Sequence, residues 1–253
     1  LNAKASGDTV TADALKITIN GTFGKLGSKY SAIYAPELLL SVTFTGQLAL
    51  LMLIEMMAQK GIQTVSANTD GITIIADHGE AYAIVVHLWE EITGFKMEET
   101  RYKSIHYRDV NNYFALTDDG KIKTKGIFKD PGIAKNPTTP IVAQAVIAHV
   151  LYGESIEEMI HNCKDVSSFL SIRTVRGGAA KDGEYLGKAV RWYYSTATET
   201  AINYISNGNQ VAKTEGAMPM MDLTDKLPAD LDYGWYMTEA RKTIEDVGYY
   251  GWL

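Results

Sequence analysis

The chain has 253 residues, of which 46% are hydrophobic and 21% charged, a composition that excludes an intrinsically disordered or collagen-like protein. Its net charge of 24 − 30 = −6 indicates no general affinity for nucleic acid, although binding depends on where the charges lie. The single cysteine, Cys163, can form neither an internal disulfide nor a cysteine-based zinc cluster. These features favour a globular protein of a reducing compartment, and we predict the cytoplasm.

The first part of the sequence predicts two helices and a hairpin. A helix capped by Asp13 is expected to loosen into a turn at the glycines of 21–27, and Pro36 opens a long apolar helix that ends near Lys60. Two β-branched runs then flank an Asn-Thr-Asp-Gly sequence that ends at Gly71, which predicts a β-hairpin. Polar residues within the long helix favour a core helix over a membrane span, so we predict no membrane association.

Antiparallel strands are also predicted in the middle of the chain. A helix over 80–93 is followed by an extended segment over 96–107 and by a hairpin with arms at 111–117 and 121–128. The stretch 121–135 carries five lysines and one aspartate, a net charge of 5 − 1 = +4. A lysine-rich hairpin is often only a solvated edge strand, so this charge alone does not identify a binding site.

The C-terminal part is predicted to be mainly helical. Apolar periodicity indicates helices over 140–153, 155–163 and 195–208, and the sequence Lys135-Asn-Pro marks the predicted boundary before them. The predicted fold class is therefore α+β, with an antiparallel sheet and packed helices first and a mainly helical region after 135.

Signatures of the common hydrolases and oxidoreductases are not found in this sequence. It has no GxxxxGK[ST], HExxH or GxSxG motif, and its five histidines are scattered. The glycines of 21–27 follow a predicted helix rather than a strand, which argues against a dinucleotide-binding loop.

Four residues near the N-terminus form a first candidate site. On a helix, Lys16, Asn20 and Phe23 lie along one face, and Gly24 follows them. That face presents an ammonium group, an amide and an aromatic ring, with a glycine where a ligand could approach closely. The alternative interpretation is the end of an ordinary surface helix.

The tip of the first predicted hairpin is a second candidate site. Its sequence is Ser-Ala-Asn68-Thr-Asp70-Gly71, and an Asp-Gly pair is most often only a turn. The functional alternative is a carboxylate displayed at the end of two strands to bind a hard cation.

Together, the two candidate sites resemble motifs B and C of the family B (polymerase-alpha-like) DNA polymerases. Motif B has the pattern K-x3-N-[SG]-x-[YF]-G, and motif C is a hairpin that ends in Thr-Asp. Further stretches resemble bacteriophage members of that family: KLGSKYSAIYAPELLLSVTFTGQLALLMLIE, GIQTVSANTDGI, KTKGIF, LGKAVRWYYS and DYGWYMTEA. The resemblance covers nearly the whole chain in the family's order.

The resemblance implies a role for each motif B residue. Lys16 matches the lysine that reaches the triphosphate of the incoming dNTP, where a point charge suits the charge that develops in the transition state. Asn20 matches the asparagine that lines the pocket of the nascent base pair. Phe23 takes the place of a tyrosine against the minor-groove side of that pair, and Gly24 lets the template approach without a Cβ.

Motif C implies the metal site. Asp70 matches the second aspartate of the usual Asp-Thr-Asp-Ser and would bind two Mg²⁺ ions, which activate the primer 3′-hydroxyl and neutralise the leaving pyrophosphate. Asn68 and Gly71 replace the first aspartate and the serine. The resemblance thus makes Asp70 and Lys16 the predicted catalytic residues.

The resemblance also implies contacts with primer–template DNA. A Val-Asn-Asn-Tyr segment matches the family's Lys-Lys-Arg-Tyr near the primer terminus but lacks its basic residues, and a Lys-Gly pair follows. Two arginines fall in the implied thumb. The predicted DNA-binding residues are Tyr113, Lys125, Gly126, Arg176 and Arg191.

The implied modules are the end of the fingers at 1–34, the palm at 35–134 and a mainly helical thumb at 135–253. Motif A, which supplies the other metal-binding aspartate, and the 3′–5′ exonuclease motifs are not found in the sequence. We therefore expect the isolated chain to be inactive and to need an N-terminal polymerase segment that carries motif A and the exonuclease. A phage-encoded chain would work in the cytoplasm of its bacterial host.

Two other interpretations stay open. A non-catalytic DNA-binding remnant would keep the lysines and the thumb without needing Asp70, and a subunit of a split polymerase would have its site completed by another polypeptide. A plain α+β structural or assembly protein would owe its motif matches to coincidence.

Overall fold

The computed structural model describes residues 6–75 and 79–248. Contacts divide the chain into two compact units, Leu1–Glu99 and Thr100–Leu253, and each has its own hydrophobic core. The module boundaries predicted after residues 34 and 134 follow functional segments rather than compactness, and they stay predictions. An α+β fold with antiparallel sheets is confirmed.

The first unit consists of three helices and one hairpin among its described residues. Helix α1 begins earlier than predicted because Asp8, rather than Asp13, caps it and accepts a hydrogen bond from the Thr11 N–H at 3.0 Å. The helix also runs through Gly21 and Gly24 instead of loosening there, since a glycine costs a helix only about 1 kcal/mol relative to alanine. The elements are α1 (Thr9–Leu26), α2 (Pro36–Gln59), β1 (Gln63–Asn68), β2 (Gly71–Ile75) and α3 (Gly79–Thr93).

Helix α2 has the predicted ends but not the predicted burial. Pro36 occupies its first turn, Lys60 is the C-cap, and Gly61 follows with a φ of 73°. Only Leu53 and Met57 are buried, so the helix belongs to a core along its C-terminal part alone. Among the described residues, α2 is the one helix long and apolar enough to cross a membrane.

The core of the first unit joins α2 to α3. Leu53 and Met57 are buried together with Val85 and Trp89, and each such side chain contributes about 2 kcal/mol when removed from water. The Trp89 indole donates a hydrogen bond to the Ala49 carbonyl at 2.7 Å, which fixes the position of one helix on the other. The hairpin β1–β2 packs against the same helix α2.

The second unit begins with a three-stranded antiparallel sheet in the order β3-β4-β5. Residues 96–101, predicted as extended, precede the first strand, and the last strand ends at Lys125 rather than continuing to 128. A φ of 64° at Gly126 ends that strand and starts a short 3₁₀ turn. The strands are β3 (Tyr102–Asp109), β4 (Asn112–Thr117) and β5 (Ile122–Lys125).

A second antiparallel sheet shows that the predicted mainly helical character of 135–253 is wrong. Its two central strands, each of 11 residues, are joined by an Asp182-Gly183 turn with positive φ at both residues. The sheet order is β8-β6-β7-β9. The elements of this region are α4 (Pro140–Tyr152), α5 (Ile156–Asn162), β6 (Ser171–Lys181), β7 (Glu184–Tyr194), β8 (Asn203–Tyr204), β9 (Ala217–Pro219) and α6 (Tyr233–Val247).

The segment 195–208 contains no helix, contrary to the prediction. Its serine and threonine side chains bind nearby backbone and other polar groups instead. The Ser195 hydroxyl accepts a hydrogen bond from the Ala197 N–H and donates one to Asp230, and the Thr198 hydroxyl accepts one from the Thr200 N–H. These local bonds hold an irregular connection between β7 and β8.

Candidate functional site

The four residues predicted to form motif B all lie on α1 and are exposed. Lys16, Asn20 and Phe23 follow one another at the predicted helical spacing, and the Phe23 side chain is 37% exposed. A Cβ at Gly24 would meet no atom within 4 Å, so the space above it is open. The predicted face therefore exists as an accessible surface.

The C-terminal end of helix α1 is held against the start of α2. The Ala35 N–H donates to the Leu26 carbonyl at 2.9 Å, and a Cβ at Gly27 would lie 3.0 Å from Leu39 Cδ2 on α2. No residue of α1 is buried. The backbone of the helix, rather than side-chain packing, sets where its candidate residues lie.

The residues predicted to form motif C lie at the tip of the hairpin β1–β2. Asn68 pairs with Gly71, so Thr69 and Asp70 make a two-residue turn. The Asn68 side-chain oxygen accepts hydrogen bonds from the Thr69 N–H at 2.7 Å and the Thr69 hydroxyl at 3.1 Å. An asparagine thus serves this turn as a local cap, while the Asp70 carboxylate is exposed.

The chemistry of Asp70 suits a divalent cation in part. A carboxylate is the hard oxygen ligand that Mg²⁺ prefers, and this one is accessible at the end of two strands. Over residues 6–75 and 79–248, no three or more His, Cys, Asp or Glu side chains are grouped so that they could hold a metal ion. Asp70 therefore fits a metal site as one ligand and cannot form that site by itself.

Helix α2 is the common support of both motifs. It contacts α1, which precedes it in the sequence, and both strands of the hairpin, which follows it. Within the described part of the first unit, however, no hydrogen bond or ion pair joins Lys16 or Asn20 to Asp70. The two motifs share a scaffold without direct contact between their functional groups.

Two of the predicted DNA-binding residues come together on the three-stranded sheet. Tyr113 on β4 pairs with Lys125 on β5, and the Lys125 ammonium lies 5.8 Å from the centre of the Tyr113 ring. The Tyr107 ring on β3 is 5.2 Å from the same ring. This arrangement places a cation and two aromatic rings on one face of the sheet.

Gly126 has a structural reason for being glycine. Its φ is 64°, and a Cβ there would clash with the Asn112 side-chain oxygen and the Asn111 carbonyl. The Asn112 amide donates to both Asp109 oxygens, at 2.9 and 2.8 Å, and its oxygen accepts from the Ile127 N–H at 2.9 Å. Asn112 is thus a clamp for the turn after β5.

The same turn perturbs the Asp109 carboxyl. Hydrogen bonds from the Asn111 N–H, at 2.9 Å, and from the Asn112 amide lower the pKa of Asp109 below its ordinary value. An ionised Asp109 therefore holds the turn together over the physiological pH range.

The two arginines predicted to bind DNA differ in their surroundings. Arg176 on β6 is exposed. Arg191 on β7 is partly buried, its Nη1 donates to the Met221 carbonyl at 3.4 Å, and its Nε is buried without a hydrogen-bond partner. The neighbouring Trp192, Tyr193 and Tyr194 belong to the core, so Arg176 is the more accessible of the two cations.

Sequence reasoning missed three residues of the Tyr113 face. Tyr107 lies beside Tyr113, and the Lys123 ammonium lies 5.6 Å from the centre of the Tyr102 ring. Lys123 and Lys125 alternate on β5, a spacing that puts both side chains on one face of a strand. That alternation was a usable signal, but the tyrosines opposite become apparent only from the register.

Comparisons with known proteins point to DNA polymerases. No protein-family model matches the chain. The chain is 24% identical over 143 residues to DNA polymerase 1 of Saccharolobus solfataricus and 29% identical over 164 residues to the DNA polymerase alpha catalytic subunit of Xenopus laevis. These matches cover 56% and 59% of this chain but only 16% and 11% of the relatives.

The fold is also similar to that of a polymerase. The structure of the family B DNA polymerase from the hyperthermophilic archaeon Pyrobaculum calidifontis matches with a TM-score of 0.53 and 18% identity. The match covers 94% of this chain and 33% of that one. The chain is therefore similar in sequence to part of these DNA polymerases and similar in fold to a family B DNA polymerase.

Proposed function

We propose that this chain is the C-terminal fingers, palm and thumb portion of a phage-type family B DNA polymerase. In that role it transfers nucleotides from dNTPs to a primer 3′-hydroxyl once a segment with motif A completes its site. The observation that carries the proposal is the presence of motif B on α1 and of the Thr-Asp of motif C at a hairpin tip, both supported by α2. The similarity to DNA polymerases supports it.

The proposed catalytic roles follow from charge. Asp70 would contribute one carboxylate to the metal ligands, and two Mg²⁺ ions, when bound, supply an activated 3′-hydroxyl and charge neutralisation of the leaving pyrophosphate. Because one carboxylate cannot hold two dications, the motif A aspartate is needed as well. The Lys16 ammonium, which has no carboxylate partner among the described residues, is available to the triphosphate.

Three other residues of α1 would form the pocket for the new base pair. The Asn20 amide can accept and donate hydrogen bonds there. The Phe23 ring offers an apolar surface without a hydroxyl, and the open space above Gly24 leaves room for the template. DNA would be held further along the chain, by Tyr113, Lys125, Gly126, Arg176 and Arg191.

Helix α2 supports the proposal that another polypeptide segment completes the protein. Large apolar side chains are exposed along much of its length, which monomeric soluble proteins generally avoid. They are Leu38, Leu40, Val42, Phe44, Leu48 and Leu51. We assign this surface to the N-terminal polymerase segment with motif A, whose cover would remove the apolar side chains from water.

Primer extension tests the proposed function. The isolated chain is expected not to extend a primer, and the motif A segment should restore extension in the presence of Mg²⁺. Asp70→Asn should then abolish extension without harming the fold, because a turn accepts asparagine readily. Asp118→Asn is the matched control, since Asp118 is an exposed carboxylate in the turn of another hairpin. Wild-type extension by Asp70→Asn would contradict the assignment.

A non-catalytic DNA-binding role is the second candidate. It is favoured by Asn68, where the family has an aspartate and where the side-chain oxygen is engaged by Thr69. In that case the chain would bind primer–template DNA with the motif A segment present, yet the completed complex would not extend the primer.

A further inference from the structure

One face of the sheet β3-β4-β5 carries tyrosines and lysines beside Ile105 and Ala115. The register aligns Tyr107, Tyr113 and Lys125 across the three strands. Lys123 lies two residues before Lys125 and opposite Ala115, so it belongs to the same face. Near the edge of this face Lys123 meets Tyr102, the first residue of β3.

Each lysine is held by a tyrosine ring. The Lys123 ammonium is 5.6 Å from the centre of the Tyr102 ring, and the Lys125 ammonium is 5.8 Å from that of Tyr113. Both distances are within the range of cation–π attraction. The Lys123 ammonium also donates to the Thr100 hydroxyl at 3.2 Å, which leaves two of its three donors for a ligand.

Neither lysine is neutralised by a carboxylate. Lys121 at the start of the hairpin arm forms an ion pair with Asp119 at 2.6 Å, but in the described part of the chain Lys123 and Lys125 have no such partner. Two lysines without carboxylate partners, whose Cα atoms are about 6.8 Å apart along one short strand, favour an anionic ligand with repeated charges.

We propose that Lys123, positioned by Tyr102 and Thr100, contacts a DNA backbone phosphate next to the contact made by Lys125. The inference rests on the proposed function for the identity of the polyanion. Because a lysine ammonium group lies over each of the two tyrosine rings, a phosphate meets a positive charge there before a base could stack on the ring. The face therefore binds the backbone of DNA without sequence preference.

The competing explanation is edge protection. Strand β5 lies at the edge of its sheet, and lysines on edge strands hinder pairing with other chains. Edge protection requires only charge, whereas the rings of Tyr102 and Tyr113 and the Thr100 hydroxyl hold these ammonium groups in place. The two explanations differ in whether Lys123 changes DNA affinity.

The test measures binding of the full chain to duplex primer–template DNA by fluorescence anisotropy over a range of salt concentrations. Lys123→Gln is expected to weaken binding about tenfold and to reduce the slope of log affinity against log salt by about 0.9, the loss of one phosphate contact. The control is Lys164→Gln, which removes the same charge from an exposed position after α5. Two duplexes of unrelated sequence should give the same result.

The outcomes separate this inference from the proposed function. Lys123→Gln with the affinity and slope of Lys164→Gln, or a wild-type chain that does not bind duplex DNA, would overturn the inference. A clear preference between the two duplexes would overturn its sequence-independent form. Extension that depends on Asp70 is measured separately, so the polymerase assignment can stand while Lys123 is removed from the DNA surface.

Discussion

The two compact units bury apolar side chains to very different extents. In the described part of Leu1–Glu99, the buried core consists of Leu53, Met57, Val85 and Trp89, and α1 contributes nothing to it. In Thr100–Leu253, a continuous core runs from the three-stranded sheet through the helices to the second sheet. The second unit thus has the packing of an independent domain, and the first unit has a much smaller core.

The difference shows how each unit positions its functional groups. The candidate catalytic residues Lys16 and Asp70 lie in the sparsely packed unit, on an exposed helix and on an exposed turn. Tyr113 and Lys125 lie on a sheet whose opposite side contributes Phe114 to the core. Under the proposed function, we therefore expect catalysis to depend on an added segment and DNA binding to depend on the chain's own packing.

Tyr236 on α6 should give the largest effect on stability. Its side chain is 0% exposed, and its hydroxyl donates to the Phe169 carbonyl at 2.8 Å and accepts from the Tyr194 N–H at 2.9 Å. Tyr236→Ala is expected to lower the free energy of unfolding by about 4 kcal/mol in urea titrations. Tyr236→Phe separates the two causes, since it keeps the ring and should cost about 2 kcal/mol.

A result near zero for both variants would show that the second unit is not held by this core. It would also remove the contrast in packing between the two units. The burial around α6 would then contribute no more to the free energy of unfolding than the exposed helix α1 of the first unit.

Gly126 tests the turn that presents Lys125. Gly126→Ala is expected to cost about 3 kcal/mol, because alanine is strained at a φ of 64° and its Cβ would clash with the Asn112 clamp. Gly120→Ala is the matched control in the same sheet, with a φ of 80° but open space around the new Cβ. It should cost about 1 kcal/mol, from strain alone. Equal losses in urea unfolding would show that the clamp is dispensable.

Alkaline pH should destabilise the second unit through Tyr193. Burial and a hydrogen bond to Asp230, 2.9 Å away, raise the pKa of Tyr193 to about 12 from an ordinary value of 10. Above pH 10 the unfolded chain loses this proton while the folded chain keeps it, so stability should fall between pH 10 and 12. Urea midpoints at pH 9 and 11.5 measure the fall. The decrease in urea midpoint should be smaller for Tyr193→Phe. A decrease equal to that of the wild type would exclude Tyr193 as its cause.

Local signals in the sequence predicted part of this fold. The turns at 68–71 and 118–120 and the ends of α2 follow from glycine and proline at defined positions. The hairpin β6–β7 was missed although Asp182-Gly183 is a typical turn pair. Glycines in both strands, with positive φ at Gly177, Gly178 and Gly187, interrupt the alternation that marks a strand.

In the candidate sites, too, the features set by local structure were predictable and those set by distant contacts were not. Motif spacing placed Lys16 on a helix face and Asp70 at a turn, because both depend on local structure. The pairing of Lys123 with Tyr102, and the role of Asn112 as a clamp, depend on contacts between residues distant in the sequence. Such contacts are set by register and packing, which no local pattern specifies.

Leu48 should give the smallest effect in the isolated chain and so completes the comparison. Its side chain is 64% exposed on α2, whereas Leu53, five residues later on the same helix, is 0% exposed. Leu48→Gln is expected to change the free energy of unfolding by less than about 0.5 kcal/mol, while Leu53→Ala should cost about 3 kcal/mol. Urea titrations followed by circular dichroism measure both values.

Leu48→Gln also tests the proposed contact with the N-terminal segment. If the N-terminal segment covers α2, Leu48→Gln should weaken binding of that segment, since it places a polar amide in an apolar interface. The measurement is titration of the segment onto the wild-type and variant chains. Because the isolated Leu48→Gln chain keeps its stability, weaker binding can be assigned to the interface. Unchanged binding would show that this part of α2 is not the contact surface. Its apolar side chains would then have to pack against something other than the N-terminal segment.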